Sequence, residues 1–211
     1  MRTRSKLALA ALAATLLMSL AVSSATAGHL STSNQNFRIV WNPLTFRSEG
    51  GFINPTVECP VTLEGTFHSA TIAKIEGSLI GYITRAIVAE TEPPCRGGIA
   101  HVNTETLPWH VTYRSFVGTL PRITGIVLLL HKTSFEIETG GVRCRFEETG
   151  TERAAGTANR EAGGAITGLT ADNISLPRTG GSSFCPTRIS FEGTGTVTVL
   201  GSTTRISVTL I

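Results

Sequence analysis

The sequence predicts an all-β protein, an antiparallel β-sandwich or β-barrel built as a single domain with two disulfides. Three observations support this class. Short segments alternate apolar and polar residues, glycine and proline pairs separate these segments, and four cysteines follow an export-like leader. The chain has 211 residues, 41% of them hydrophobic and 16% charged, a composition that excludes disordered, collagenous and multi-spanning membrane proteins.

The first 27 residues have the pattern of a secretory signal peptide. Residues 1–6 are basic, residues 7–22 are apolar, and residues 23–27 are small. We therefore expect cleavage after Ala27 and a domain spanning residues 28–211. The apolar stretch is shorter than the roughly 20 residues of a spanning helix, so no transmembrane span is expected after cleavage. The predicted location is secreted, extracellular or in the cell envelope.

The charge balance argues against nucleic acid as a partner. The chain carries 18 Lys and Arg against 15 Asp and Glu, a formal charge of +3. Three of the basic residues lie in the leader, and no acidic residue does, so the remaining chain is balanced. Phosphate binding requires a basic stripe, which the dispersed arginines do not form.

The four cysteines all follow the leader, at Cys59, Cys95, Cys144 and Cys185. An even number in an exported chain predicts two disulfides, and four cysteines allow three pairings. We favour the local pairing, which joins the first two and the last two. Zinc sites bring their ligands in close pairs, and no such spacing occurs here, so we expect neither a metal site nor another cofactor.

Alternation of apolar and polar residues predicts several strands along the chain. Apolar residues share one face of the segments 61–67, 189–199 and 206–210, and Phe135 and Ile137 lie opposite Glu136 and Glu138. Turn signals such as Gly140-Gly141 and Gly163-Gly164 lie between the segments.

Two segments are less regular. Residues 152–162 allow a turn or two of helix, an irregular strand or a loop. Residues 176–180 read L-P-x-T-G, the form of a sortase sorting signal, but no apolar span and basic tail follow. We interpret this segment as a proline-containing turn.

Aromatic residues supply the candidate ligand-binding positions. Trp109 and Tyr113 share one face of a predicted strand, and Trp41 lies in another apolar segment. Exposed rings of this kind stack on sugars, since they offer area at a small loss of entropy. The alternative is that these residues anchor the cores of the sheets.

No catalytic residue is assigned, and the sequence leans away from an enzyme. Glu136 and Glu138 lie two positions apart, about 6.8 Å along a strand, within the roughly 6.5–9.5 Å of an inverting glycosidase pair. Any exposed strand with this pattern gives the same spacing. Glu147 and Glu148 are successive, so on a strand they would point to opposite faces.

A family resemblance adds to this interpretation. The strand around Cys59-Pro60, the segment 107–111 and the ending 193–211 resemble exported β-rich proteins of high-GC Gram-positive bacteria, for which no activity is known. The resemblance covers most of the chain after the leader. It implies export and one β-rich unit, and it implies no activity, cofactor or site residue.

The function that we predict is a secreted or envelope-associated, non-catalytic β-domain with a binding or structural role. Its partner is unknown, and contact with the envelope or with glycans is one expectation. Two alternatives remain open. One is a secreted glycan hydrolase that uses Glu residues, and the other is a barrel that carries a small apolar ligand.

Overall fold

A computed structural model describes residues 28–51, 54–89, 95–150 and 154–211, without the side chains of residues 172–174. The predicted signal peptide, residues 1–27, lies outside the described residues. Within them the chain is a single all-β domain of antiparallel strands. This confirms the predicted fold class.

Eleven strands form one large sheet, and three short strands form a small one. The small sheet contains β1 (His29–Thr32), β4 (Thr71–Ala73) and β14 (Val208–Leu210). A 3-10 turn, η1 (Thr104–Thr106), lies between β6 and β7 of the large sheet. The strands of the large sheet are β2 (Asn36–Glu49), β3 (Thr56–Phe67), β5 (Leu79–Val88), β6 (Ile99–Val102), β7 (Trp109–Thr119), β8 (Arg122–His131), β9 (Ser134–Thr139), β10 (Val142–Glu147), β11 (Ala154–Arg160), β12 (Ile166–Gly181) and β13 (Arg188–Val199).

Eight of these strands close into a ring. Their order is β11, β8, β7, β5, β3, β2, β13 and β12, and β12 pairs again with β11 from Thr157↔Thr170 to Asn159↔Gly168. Closure leaves these eight strands without a free edge, as in a barrel. The small sheet supplies Leu30, Ile72 and Val208 to the lining of the ring interior. We call these eight strands the ring.

The other three strands extend the sheet beyond the ring. The later residues of β12 pair with β10, which pairs with β9, and β9 pairs with β6. We call β6, β9 and β10 the side sheet. An isolated bridge between Glu58 and Arg96 connects the segment before β6 back to β3. The long strand β12 therefore belongs to both parts of the molecule, and β3 is bridged to the segment that leads into the side sheet.

Alternating side chains build the core, as the sequence predicts. On β3, Val57, Cys59, Val61 and Leu63 are all buried, while the three residues that alternate with them are more exposed. Each buried face contributes to one apolar interior, which stabilises the sheet by removing these side chains from water.

A glycine allows the largest side chain of β2 to pack closely. The β2–β13 register shifts between Glu192 and Thr196, beside the indole of Trp41. A Cβ atom on Gly195 would lie 2.7 Å from a carbon of that indole. Only glycine fits at this distance, so the indole lies directly against the backbone of β13.

Both disulfides have the favoured pairing. Cys59 of β3 is joined to Cys95, which precedes β6, and Cys144 of β10 is joined to Cys185, which precedes β13. Each therefore links the side sheet, or the segment leading into it, to another part of the fold. Of the described cysteines, none is free.

Two sequence expectations need correction or refinement. The segment 176–180 is not a turn, because it continues β12, pairing first with β13 and then with β10, and Leu176 is fully buried. Residues 154–160 form the strand β11 rather than a helix, since pairing with β8 and β12 on both sides outweighs the weak local preference.

Candidate functional site

A polar depression of about 280 Å³ lies where the ring meets the side sheet. Three carboxylates and three hydroxyl groups dominate its wall, with one lysine among them. We call it the acidic depression. Its lining residues are Glu105, Thr106, Leu107, Lys132, Thr133, Ser134, Glu147 and Glu148.

The chain crosses between the two parts of the molecule at this depression. β8 of the ring ends at His131, and β9 of the side sheet begins at Ser134. The link contains Lys132 with φ of +66°, a left-handed conformation that non-glycine residues adopt infrequently. The backbone N–H of Glu148 donates to the Thr133 carbonyl at 3.0 Å and fixes the end of β10 against this link.

The carboxylates in the wall are partly engaged by the protein. The Ser134 hydroxyl donates to Glu147 Oε1 at 2.9 Å, and the backbone N–H of Lys132 donates to the Glu148 carboxylate. A carboxylate offers about four acceptor positions, so these bonds leave further positions for a ligand. The wall holds three glutamates and one lysine, and the Arg145 guanidinium lies 4.0 Å from Glu147 Oε1, so the depression offers acceptors suited to hydroxyl donors.

A hydroxyl–imidazole–carboxylate chain adjoins the depression. His131 Nε2 lies 2.8 Å from Thr112 Oγ1, and His131 Nδ1 lies 3.5 Å from Glu148 Oε1. This order resembles a nucleophile, its base and an orienting acid. However, Thr112 pairs with Leu79 on one side and Leu129 on the other. Its backbone N–H therefore lies in the plane of the sheet. It does not face the oxyanion that would form on a carbonyl group attacked by the Thr112 hydroxyl.

A row of aromatic side chains runs from His131 across the outer face of the eight-stranded ring. His110 is the direct cross-strand partner of His131. The Tyr82 ring lies 5.3 Å from His110 and 6.3 Å from His68, edge to face in both contacts. These side chains are exposed or half-buried, so they present ring surface to solvent beside the depression.

The three predicted ligand-binding aromatics are all in the interior. Trp109 is 0% exposed, Trp41 3% and Tyr113 4%, so they do not form the exposed surface that the sequence suggested. Their faces of β2 and β7 point into the core, and burial raises the pKa of Tyr113. A ligand could meet Trp41 and Trp109 only from inside the fold.

The predicted glutamate pair is held by arginines. Arg145 bonds Glu136 at 2.7 and 2.9 Å, and Arg143 bonds Glu138 at 2.9 and 3.2 Å. The hydrogen bond and charge of Glu136 raise the pKa of Arg145. This ladder on the outer face of β9 and β10 is typical of a solvated sheet surface.

The successive residues Glu147 and Glu148 do not point to opposite faces as they would on a continuous strand. Both line the depression, because β10 ends at Glu147 and the alternation of a strand ends with it. The sequence carries no signal that brings Glu105 to the same place. That proximity depends on pairing between distant segments, since the turn that holds Glu105 is bonded to Ser134 through Asn103.

The ring interior contains an apolar cavity of about 70 Å³, lined by aliphatic residues such as Ile39, Ile83 and Ile126. Among the described residues, no group of three or more His, Cys, Asp or Glu side chains is arranged to hold a metal ion. Within the same ranges, no helix has the length and apolarity needed to cross a membrane.

Comparison with known proteins identified no relative: no family model, no curated protein and no solved structure matches this chain.

Proposed function

We propose that this protein is an exported, non-catalytic β-domain that binds a saccharide at the acidic depression. The observation that carries the proposal is the depression itself, a concave polar space of about 280 Å³ on a closed β scaffold. Ligand pockets begin at about 300 Å³, and a single sugar ring is smaller than a drug-sized ligand.

The chemistry of the wall supports a polyhydroxylated partner. Carboxylates accept hydrogen bonds from sugar hydroxyls, and Glu105, Glu147 and Glu148 supply several acceptor positions. The hydroxyl of Ser134 and the ammonium of Lys132 add further polar groups. The neighbouring rings of His110 and Tyr82 offer stacking surface for a second sugar unit.

Export is part of the same proposal. It is supported by the signal-peptide pattern, by the resemblance to exported proteins of high-GC Gram-positive bacteria, and by two disulfides, which persist in oxidising compartments. A secreted or envelope-associated domain would meet glycans directly.

The two alternative functions have weaker support. The named hydrolase pair, Glu136 and Glu138, is tied into bonds with Arg145 and Arg143. An apolar carrier needs a cavity of several hundred Å³ on the usual scale of ligand pockets, and the ring cavity measures about 70 Å³.

The test is a titration of the isotope-labelled protein with glucose and with glucuronate, followed by NMR. We expect glucose to shift the backbone amides of Glu105, Lys132 and Glu148, and the anionic glucuronate to bind more weakly. Replacement of Glu147 by Gln should weaken glucose binding. The matched control is Glu192→Gln on β13, whose carboxylate bonds Arg47 away from the depression. Saturating glucose without a shift at these amides would contradict the proposal.

A further inference from the structure

The hairpin between β7 and β8 extends past the strands beside it. On one side, the backbone bonds from β5 and the turn before it reach β7 no further than Tyr113. On the other side, β11 pairs with β8 no further than Asn159↔Gly125. Between these points the two strands of the hairpin pair only with β8 and β7, among the described strands. We call residues 114–124 the hairpin tip.

Apolar side chains are exposed on the hairpin tip. Leu120 at the apex is 50% exposed and Val117 is 44% exposed, and Pro121 is exposed beside them. Single exposed apolar residues are ordinary on a protein surface. Here they are grouped at the end of a projecting hairpin, where no other strand of the described fold pairs with them. An apolar group in this position is available to an external partner.

The hairpin carries positive charge and no negative charge. Residues 107–133 contain no aspartate or glutamate, although the chain has 15 of them. Arg114 and Arg122 are exposed on the tip, and neither forms an ion pair with a described residue. The turn bonded to the base of the tip carries one charge of each sign, Lys74 and Glu76. The two arginine charges of the tip are therefore not compensated locally.

Other arginines on the ring differ in this respect. Arg38 and Arg85 both bond the carboxylate of Glu64, and Arg47 bonds Glu192. The tip is thus a place where exposed apolar side chains and unpaired arginines occur together.

This combination fits a membrane surface with anionic headgroups. Binding to such a surface adds the burial of apolar area in the headgroup region to the attraction between basic residues and anionic lipids. The long arginine side chain keeps its guanidinium beside the phosphates while neighbouring apolar groups lie deeper. A protein partner fits less well, because a stable interface covers about 800 Å² of each partner and favours a broad surface over a narrow projecting tip.

We propose that the hairpin tip docks the protein on an anionic phospholipid membrane. Val117, Leu120 and Pro121 enter the headgroup region, and the guanidinium groups of Arg114 and Arg122 donate hydrogen bonds to lipid phosphates. The proposal goes beyond saccharide binding and does not depend on it.

Docking through the tip keeps the acidic depression away from the lipid. β8 begins at Arg122 on the tip and ends at His131 beside the depression, a strand of 10 residues. At about 3.4 Å per residue, the tip and the depression lie roughly 30 Å apart. A molecule attached by its tip would therefore leave the depression open on the side away from the membrane.

The test is co-flotation of the exported protein with lipid vesicles. The protein is used after removal of the predicted signal peptide, because an apolar leader binds lipid by itself. We expect binding to vesicles that contain phosphatidylglycerol, which is anionic. Binding to vesicles of zwitterionic phosphatidylcholine alone should be roughly tenfold weaker. Added salt should weaken the binding to anionic vesicles, because ions screen the attraction between arginine and phosphate.

Matched variants separate the tip from the rest of the surface. Leu120→Ser should weaken binding to anionic vesicles roughly tenfold, because the apex then gains little by leaving water. Its control is Phe184→Ser, which removes an exposed apolar side chain from the segment before β13. Arg114→Gln and Arg122→Gln should each weaken binding roughly fivefold. Their control is Arg47→Gln, which removes an exposed charge from β2 and should change binding little.

A fluorescent reporter locates the contact. Leu120→Trp places an indole at the apex, and its emission should move to shorter wavelength on anionic vesicles. Phe184→Trp is the control and should not respond. The natural tryptophans, Trp41 and Trp109, are buried and give a constant background.

The altered side chains are all exposed, so circular dichroism and thermal melting should show that each variant is folded. Absence of binding to anionic vesicles would overturn the proposal, and so would equal losses in the tip variants and their controls. A lipid-free dimer that Leu120→Ser dissociates, without vesicle binding, would also overturn it and would assign the tip to contact between copies of the chain.

Discussion

The ring and the side sheet are held together in different ways. The ring is closed by hydrogen bonds, since β12 pairs with β11 and every strand has two neighbours. The side sheet ends at β6, and it is joined to the rest of the fold by the short β10–β12 pairing, by two disulfides and by one isolated bridge. The comparison teaches that the disulfides attach the part of the sheet that does not close on itself. The acidic depression lies at the border between these two kinds of closure.

The largest effect should come from removing the disulfide of β10. Replacing both Cys144 and Cys185 by Ser opens a link across 41 positions and should lower the free energy of unfolding by about 4 kcal/mol in the chain-entropy model. Denaturant unfolding measures the change. Hydrogen exchange should show lost protection in β9 and β10 first, while β7 and β8 keep theirs. Uniform loss in both parts would remove the distinction between them.

A truncation inside the ring should lower hydrogen-exchange protection throughout the molecule and not in the side sheet first. Ile83 of β5 is fully buried and lines the ring cavity, so Ile83→Ala should destabilise by about 3 kcal/mol through lost burial and a larger void. Because the ring closes on itself, protection should fall across the whole molecule in hydrogen exchange. Ile99→Ala on the partly exposed edge of the side sheet is the control and should change stability far less. Comparable losses in the two variants would contradict the contrast.

A charged contact on the ring should have a smaller effect that depends on pH. Burial alone would raise the pKa of Glu64, but hydrogen bonds and positive charge from Arg38 and Arg85 outweigh it, so the pKa lies below its usual value. Because the pKa is lower in the folded state, ionised Glu64 stabilises the protein above the unfolded pKa of about 4.3. This stabilisation is lost as the pH falls through the folded pKa. Glu64→Gln should therefore cost about 1–2 kcal/mol at neutral pH.

Urea unfolding of the wild type and of Glu64→Gln at pH 7 and at pH 3 checks this sign. The difference between them should shrink at the lower pH. Glu192→Gln, which removes an exposed partner of Arg47, is the matched control. A difference that grows on acidification would show that burial, rather than the arginines, determines the pKa.

The smallest effect is expected on the side sheet surface. Glu136→Gln removes the main partner of Arg145, but the arginine is exposed and the pair is screened by solvent, so the melting temperature should hardly change. Thermal melting at low and high salt measures it. A clear, salt-dependent drop in the melting temperature would show that the ion-pair ladder contributes to holding the side sheet in place.

The sequence predicts the fold class well, because alternation is a local property. The buried faces around Val61, Ile137, Ile189 and Val208 all follow from period-two patterns. The disulfide pairing is also correct. Ring closure is not readable, because the β11–β12 pairing depends on a segment with weak strand preference, residues 154–160.

The candidate site is harder to predict than the fold. Trp41 and Trp109 stand out in the sequence as binding residues, yet alternation alone does not say which face of a sheet is inside. The depression gathers Glu105 from a turn, Thr133 from the link between β8 and β9, and Glu147 from the end of β10. Connections at the ends of strands follow no period, so their side chains meet only once the strand order is known.

The order of the large sheet has a consequence for association between copies. Since β11 pairs with β12, the large sheet has one terminal strand within the described ranges, β6, which is four residues long. An exposed terminal strand is where a foreign strand adds and a fibril starts to grow. Four residues offer an incoming chain few amides in register. Brevity at this edge therefore protects a sequence that is otherwise rich in strands from polymerising with itself.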